Sequence, residues 1–300
     1  MVFGLGEAAA LTTAASWAGS CQLHTVAGRM VGAVTLVVAR FPLFAAATAL
    51  VVLLTGTSTA LTLESFVCIM ISGALGVGIS DPFLYSASIT IGPRLATLLL
   101  SLSACITALL GNVFLGEHIN LMGWIGILVA TSGVAFVLIE GGIHHGADFS
   151  GLTNTQVAIG VGKGLMAAAC LASSLLFLKQ ALLLGIEPFW GSFLRICAGG
   201  GVVWMLALAR GRLFRIMREV WTSWPVMRVL LAGCAVSTVG NCLAPVAVKF
   251  TYAGIAATLI GLQPIMIIII TTVVERKRPS GQAIIGTLIA FGGTALIFLR

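Results

Sequence analysis

Glu7, Arg40, Asp81, Lys163, Arg195, Asn241 and Gln263 stand inside stretches that are otherwise apolar. An ionisable side chain inside a bilayer costs roughly 2.5 to 3.5 kcal/mol on insertion scales. Each therefore implies a partner, a route for its head to the interface, or a task. The tasks open to such groups are solute binding and proton exchange. Asp81 sits deep in its run beside the helix-breaking Pro82. A carboxyl held there is a candidate proton carrier, or it caps or pairs locally, for example with Arg94. Arg40 and Arg195 either contact an anionic group or a mobile carboxylate, or they snorkel to the interface. Gly162 and Gly164 leave room around Lys163. Gln263, with Ser101 or Ser103, could line a cavity, although hydrogen bonds between helices explain them nearly as well. Glu117 and Glu275 end their runs next to His118 and Arg276 and read as interfacial.

The elements that must hold these groups follow from composition. The chain has 300 residues, of which 59% are hydrophobic and 8% charged, and its mean hydropathy is +1.12. That leaves too few polar side chains to cover a soluble domain. A span needs about 20 apolar residues, and such runs lie near 3–23, 32–54, 64–84, 93–115, 119–139, 157–178, 188–209, 225–248, 252–274 and 281–299. The chain is expected to be an all-α polytopic membrane protein with ten transmembrane helices. Residues 1–23 read as the first span rather than a signal peptide, because Glu7 replaces the basic leading region. The connectors near 140–156 and 210–224 are too short for a soluble domain.

Charge orients the spans. Arg210, Arg212, Arg215, Arg218 and Arg228 surround one connector and Arg276-Lys277-Arg278 form another, with Arg29 and Arg94 on the same face. The opposite face carries only Lys179, Lys249 and Arg300. The net charge of +7 is thus distributed as the positive-inside rule requires rather than as a nucleic-acid patch. The basic face is expected in the cytoplasm and both termini outside, in a prokaryotic plasma (inner) membrane. Trp124, Trp190, Trp221 and Trp224 stand at span ends, as interfacial anchors do.

No cofactor is expected. The seven cysteines lie in apolar runs without CxxC spacing and read as small buried hydrophobes. His144, His145 and Asp148 occupy a loop with Gly141-Gly142 and Asn154 and read as a solvated linker rather than a metal site. An intramembrane enzyme would need a nucleophile with its base, or a metal set such as HExxH, and neither is present.

The second half repeats the first at an offset of about 155 to 160 residues. Gly6-Glu7 returns as Gly162-Lys163, Arg40 as Arg195, Gly73 and Asp81 as Gly233 and Asn241, and Gly126 and Gly133 as Gly286 and Gly293. Five spans per copy is an odd number, so the second copy enters the membrane from the opposite face and the repeat is inverted. Glu7 and Lys163 then approach from opposite sides. The copies are placed at 1–140 and 157–300, joined by a linker at 141–156. Inverted repeats place a substrate site near the midplane between two halves that rock. Gly73, Gly76, Gly78, Gly160, Gly164 and Gly199-Gly200-Gly201 read as close helix contacts.

These residues resemble the drug/metabolite transporter superfamily, in its ten-span branch of two EamA-type units. The matching pieces are Gly6-Glu7 leading to Trp17, Ser80-Asp81 with Tyr85 and Ala87, Gly92 with Arg94, and Leu115-Gly116-Glu117 before Gly126 and Gly133. In the second half they are Ala253-Gly254-Ile255-Ala256, Gln263-Pro264, Glu275, Gly286 and Gly293. Two departures stand out. Ile106 takes the place that Pro264 holds in the second copy, so nothing local makes the fourth span bend as the ninth does, and Val274 replaces a usual glycine.

The resemblance implies a carrier of small metabolites, often an exporter, with a cavity between the halves. Members carry amino acids, other metabolites, nucleotide sugars or organic cations. Arg40, Lys163 and Arg195 outnumber Glu7 and Asp81, which favours carboxylate-bearing or zwitterionic solutes over cations. The expectation is a secondary transporter working by alternating access, an exporter of amino acids or related solutes, with proton coupling and oligomeric state open. The alternatives are an uncoupled facilitator, a multidrug or organic-cation transporter, and a receptor or scaffold without transport. The expected partners are a small-molecule substrate and the lipid bilayer, and no nucleic acid.

Overall fold

The bilayer interior holds no water for the backbone to bond, so a chain this apolar must satisfy its N–H and C=O groups within helices. The computed structural model describes residues 4–115, 121–143, 152–250, 259–274 and 281–298, and every regular element among them is helical. Glu117, His118, His144, His145, Asp148, residues 253–256, Glu275, Arg276-Lys277-Arg278 and Arg300 lie outside the described residues.

The order is α1 (Leu5–Val31), α2 (Ala33–Thr55), α3 (Leu63–Gly73), a π-helical turn (Ala74–Ser80), α4 (Asp81–Ile91), α5 (Pro93–Ser101) and α6 (Ser103–Leu115). Then come α7 (Leu121–Ile143), α8 (Asn154–Leu183), α9 (Pro188–Ala209), α10 (Leu213–Thr222), α11 (Trp224–Phe250), α12 (Gln263–Val274) and α13 (Gly281–Phe298). Among the described residues, five stretches are long and apolar enough to cross a membrane: Ala33–Thr55, Leu63–Ile91, Asn154–Leu183, Pro188–Ala209 and Trp224–Ala247. Shorter apolar helices cover Pro93–Thr107, Leu121–Phe136 and Ile284–Gly293. Residues Thr62 and Thr153 start α3 and α8 with reciprocal capping boxes, to Ser65 and Gln156. The single residues Gly32 and Gly92 turn the chain between α1 and α2 and between α4 and α5, at φ 88° and 86°, where a side chain would be strained.

Packing is reciprocal between the two copies. Helix α1 lies along α11, and α8 lies along α3 and α4. Helix α2 faces α9, and α7 faces α13. Small residues make these approaches possible. A methyl on Gly73 would run into the carbonyl of Arg195, one on Gly199 into the carbonyl of Gly73, and one on Gly200 into the ring of Phe41. Gly133 and Gly293 bring α7 and α13 equally close, and Gly160 and Gly164 seat Ile91 and Leu99. The expectation fails at Gly201, which faces open space, as does Gly162.

Three further differences carry information. The fourth span breaks at Leu102, whose N–H bonds back to Leu99 at 3.1 Å, and the ninth breaks at Leu262, whose N–H bonds back to Leu259 at 3.2 Å. A turn therefore interrupts the helix at matching positions in the two copies, although only the second has its proline. The connector near 210–224 contains α10, which buries Leu213, Ile216 and Val220 and exposes Phe214, Arg215, Arg218 and Trp221. Trp190 is tied by its indole N–H to the carbonyl of Thr57 at 2.8 Å, whereas Trp124, Trp221 and Trp224 stand exposed as anchors.

Candidate functional site

Pro82 has no N–H to close the helical bond behind it, and the third span meets it with the π turn Ala74–Ser80. Such turns widen a helix locally and recur at functional sites. Ser80 fastens this one to α8 by donating to the carbonyl of Ala167 at 2.9 Å. Asp81 follows directly, and Tyr85 sits one turn further on, so the two share a face.

Arg40, buried on α2, bridges that face. One terminal nitrogen donates to Asp81 Oδ2 in an ion pair. The other donates to Tyr85 Oη at 2.8 Å. Its guanidinium carbon also lies 4.8 Å from the centre of the Tyr85 ring and 5.6 Å from that of Phe44, within cation–π range. His24 on α1 completes the chain of contacts, with Nδ1 3.1 Å from Tyr85 Oη. A guanidinium can only donate, so Tyr85 Oη accepts from Arg40, and the His24 tautomer decides which partner donates in the contact with Nδ1. The other ring nitrogen, Nε2, is buried without a hydrogen-bond partner against Gly233.

Arg195 on α9 is placed differently. Its Nη2 donates to Ser174 Oγ at 3.0 Å, and its buried Nε has no partner. Ser174 and Ser72 bind each other reciprocally, hydroxyl to carbonyl, at 2.6 and 2.8 Å, which locks α8 to α3. Gly76 in the π turn leaves the space this arginine fills, since a methyl there would stand 2.9 Å from Nη2. Arg195 thus lies against the π turn that leads into Asp81. Of the two guanidinium groups only that of Arg40 forms an ion pair with Asp81, whose side chain is 22% exposed.

The structure therefore brings together Arg40, Asp81 and Arg195. The local partner of Asp81 is Arg40 and not Arg94, because the facing helix presents a guanidinium at the same depth. Arg40 does not snorkel. Lys163 instead donates to Ser86 on α4 at 2.8 Å. Asn241 turns its amide to the carbonyl of Ser237 in its own helix at 3.0 Å. Gln263 is buried at the start of α12, one turn before Ile267, which packs on Ala18 and Cys21. Glu7 is half-buried in the first turn of α1. The Ser101 hydroxyl bonds within its own helix, to Leu98 at 2.7 Å. Among the described residues no group of three or more metal-ligating side chains occurs. The sequence reading did not put His24, Tyr85 or Ser174 in the site. Tyr85 carried a signal, being one of two tyrosines and on the face of Asp81. His24 and Ser174 carried none.

The model of the EamA-like transporter family matches residues 4–139 and 158–299, one segment in each half. No curated protein matches. A crystal structure of a protein 15% identical in sequence is similar with a TM-score of 0.69, over 97% of this chain and 95% of that one. At that identity the likeness is one of fold. With both halves matched, helices throughout the described residues and reciprocal packing between the copies, the chain belongs to the EamA-like transporter family of multi-pass membrane transporters.

Proposed function

We propose that the protein exports amino acids or closely related zwitterionic solutes by alternating access, in exchange for protons. The observation that carries this reading is the unequal pairing of Arg40 and Arg195. Arg40 is engaged by Asp81 and Tyr85 and holds the carboxylate in place. Arg195 keeps a buried N–H without a partner, and a guanidinium offers paired donors that fit a carboxylate. A solute carboxylate on Arg195 sets its ammonium toward Asp81, whose Oδ2 is engaged by Arg40. A proton on Asp81 removes the charge that attracts the ammonium. Proton and solute then compete for one carboxylate, and in a carrier with two access states such competition gives exchange. The basic face of the molecule lies in the cytoplasm of this arrangement and the termini outside.

The test is transport by the purified protein in liposomes. Labelled amino acids are expected to exchange in counterflow, and an acidic lumen should drive their accumulation. Accumulation driven only by an alkaline lumen would make the proton a co-transported partner instead. Exchange of organic cations without exchange of zwitterions would defeat the charge argument, and binding without any exchange would point to a receptor.

A further inference from the structure

A second feature lies away from the charged centre, on the basic side. The start of α2, the π turn, the end of α9 and α10 enclose a groove of about 450 Å³. Its wall is apolar and open to the side, with Val34 56% and Leu206 53% exposed. Its mouth carries Arg210, Arg212 and Arg215 against one carboxylate, Glu219. All three arginines are exposed, and none has an ion pair among the described residues. The helix at the mouth is the amphipathic α10, which exposes Phe214 and Trp221 beside its arginines. A helix of that kind lies in the headgroup layer with its apolar flank at the acyl boundary.

The geometry points to a binding site for a phospholipid with a net-negative headgroup, its phosphate on Arg210, Arg212 and Arg215 and an acyl chain along Val34 and Leu206. Charge complementarity selects the headgroup, since the mouth carries an excess of positive charge. The level of each part selects a lipid over a soluble anion: the basic residues sit where headgroups lie, and the apolar wall runs inward from them into the hydrocarbon. Gly78, Ile79 and Pro82 also line the groove, so the acyl chain rests on the π turn that sets Asp81. Occupancy is thereby tied to the stability of the third span, whichever solute the protein carries.

The test uses the full-length protein in detergent, with dioleoyl phosphatidylglycerol or dioleoyl phosphatidylcholine added, and reads thermal unfolding and the lipid retained in native mass spectrometry. Phosphatidylglycerol is expected to be retained and to raise the unfolding temperature more than phosphatidylcholine. Neutralising R210Q, R212Q and R215Q should lower that preference roughly fivefold per arginine. R29Q and R228Q, on the same face but outside the groove, should leave it unchanged. L206W, which fills the groove and keeps the charges, should abolish retention and serves as the second variant if the triple neutralisation does not fold. Equal effects of the two lipids, or an unchanged preference in either variant, would overturn the proposal. Stabilisation by inorganic phosphate or glycerol 3-phosphate that matches the lipid's would overturn it in favour of a soluble anion.

Discussion

Arg40 and Arg195 hold the same station in the two copies, yet only Arg40 is paired with a carboxylate. The cause is one substitution between the halves: Asp81 is answered by Asn241, which bonds to its own helix and leaves Arg195 to a serine hydroxyl. A symmetric scaffold thereby acquires an asymmetric charge, with one arginine fixed in the fold and the other left with donor capacity.

Asp81→Asn keeps the shape of the side chain and an oxygen for Arg40, so the protein should still fold. We expect accumulation driven by a pH gradient to disappear while counterflow persists, both measured in the same liposomes. If both survive, Asp81 has no part in coupling. Asp81→Leu strands the Arg40 charge and should cost about 3–5 kcal/mol of stability.

Arg195→Gln removes the proposed carboxylate anchor. Charge-assisted hydrogen bonds contribute about 1.5–3 kcal/mol, so the half-saturation concentration for a zwitterionic solute should rise at least about tenfold. The unfolding temperature should fall less than in Arg40→Gln, because the latter breaks an ion pair and a bond to Tyr85. Equal losses of stability in the two variants would show Arg195 to be structural.

Tyr85→Phe keeps the ring over which Arg40 lies but removes the hydroxyl between Arg40 and His24. A loss of about 1.5–3 kcal/mol is expected from the charged bond. Thermal unfolding of this variant beside His24→Phe measures the link: if the two hydroxyl contacts act as one network, the double variant loses less than the sum of the single losses.

Gly73→Ala drives a methyl into the backbone of Arg195. Backbone cannot move aside as a side chain can, so overpacking of about 1–3 kcal/mol is expected. Gly201→Ala meets open space within a helix and should be neutral or slightly stabilising. A comparison of the two unfolding temperatures checks the crossing of the third and seventh spans.

Five spans were legible because the bilayer sets their length and apolarity, and α9 begins and ends where hydropathy places it. The inverted repeat was legible because ordered matches survive in a Gly- and Ala-rich chain. The amphipathic α10 was hidden by its arginines, which read as a connector, although Leu213, Ile216 and Val220 recur at helical spacing. The Arg40–Asp81 pair was not legible. Helices that are apolar all round give no periodicity from which their rotation can be read, and the two partners lie on helices whose mutual register only packing decides. The break at Leu102 has no proline to announce it, and it became visible only beside its counterpart at Leu262.

The interleaving of the two copies also sets a timetable for biosynthesis. Helix α1, which carries Glu7, Gln22 and His24, is synthesised before its long partner α11, which begins about 200 residues later. At about 5–20 residues per second, roughly 10 to 40 s pass before that partner is made. During this interval a helix less apolar than the other long helices must be sheltered by the insertion machinery or by neighbouring helices. Neither half can finish without the other, so a ribosome stalled after the first copy leaves an assembly intermediate with an open seam rather than a working half-carrier.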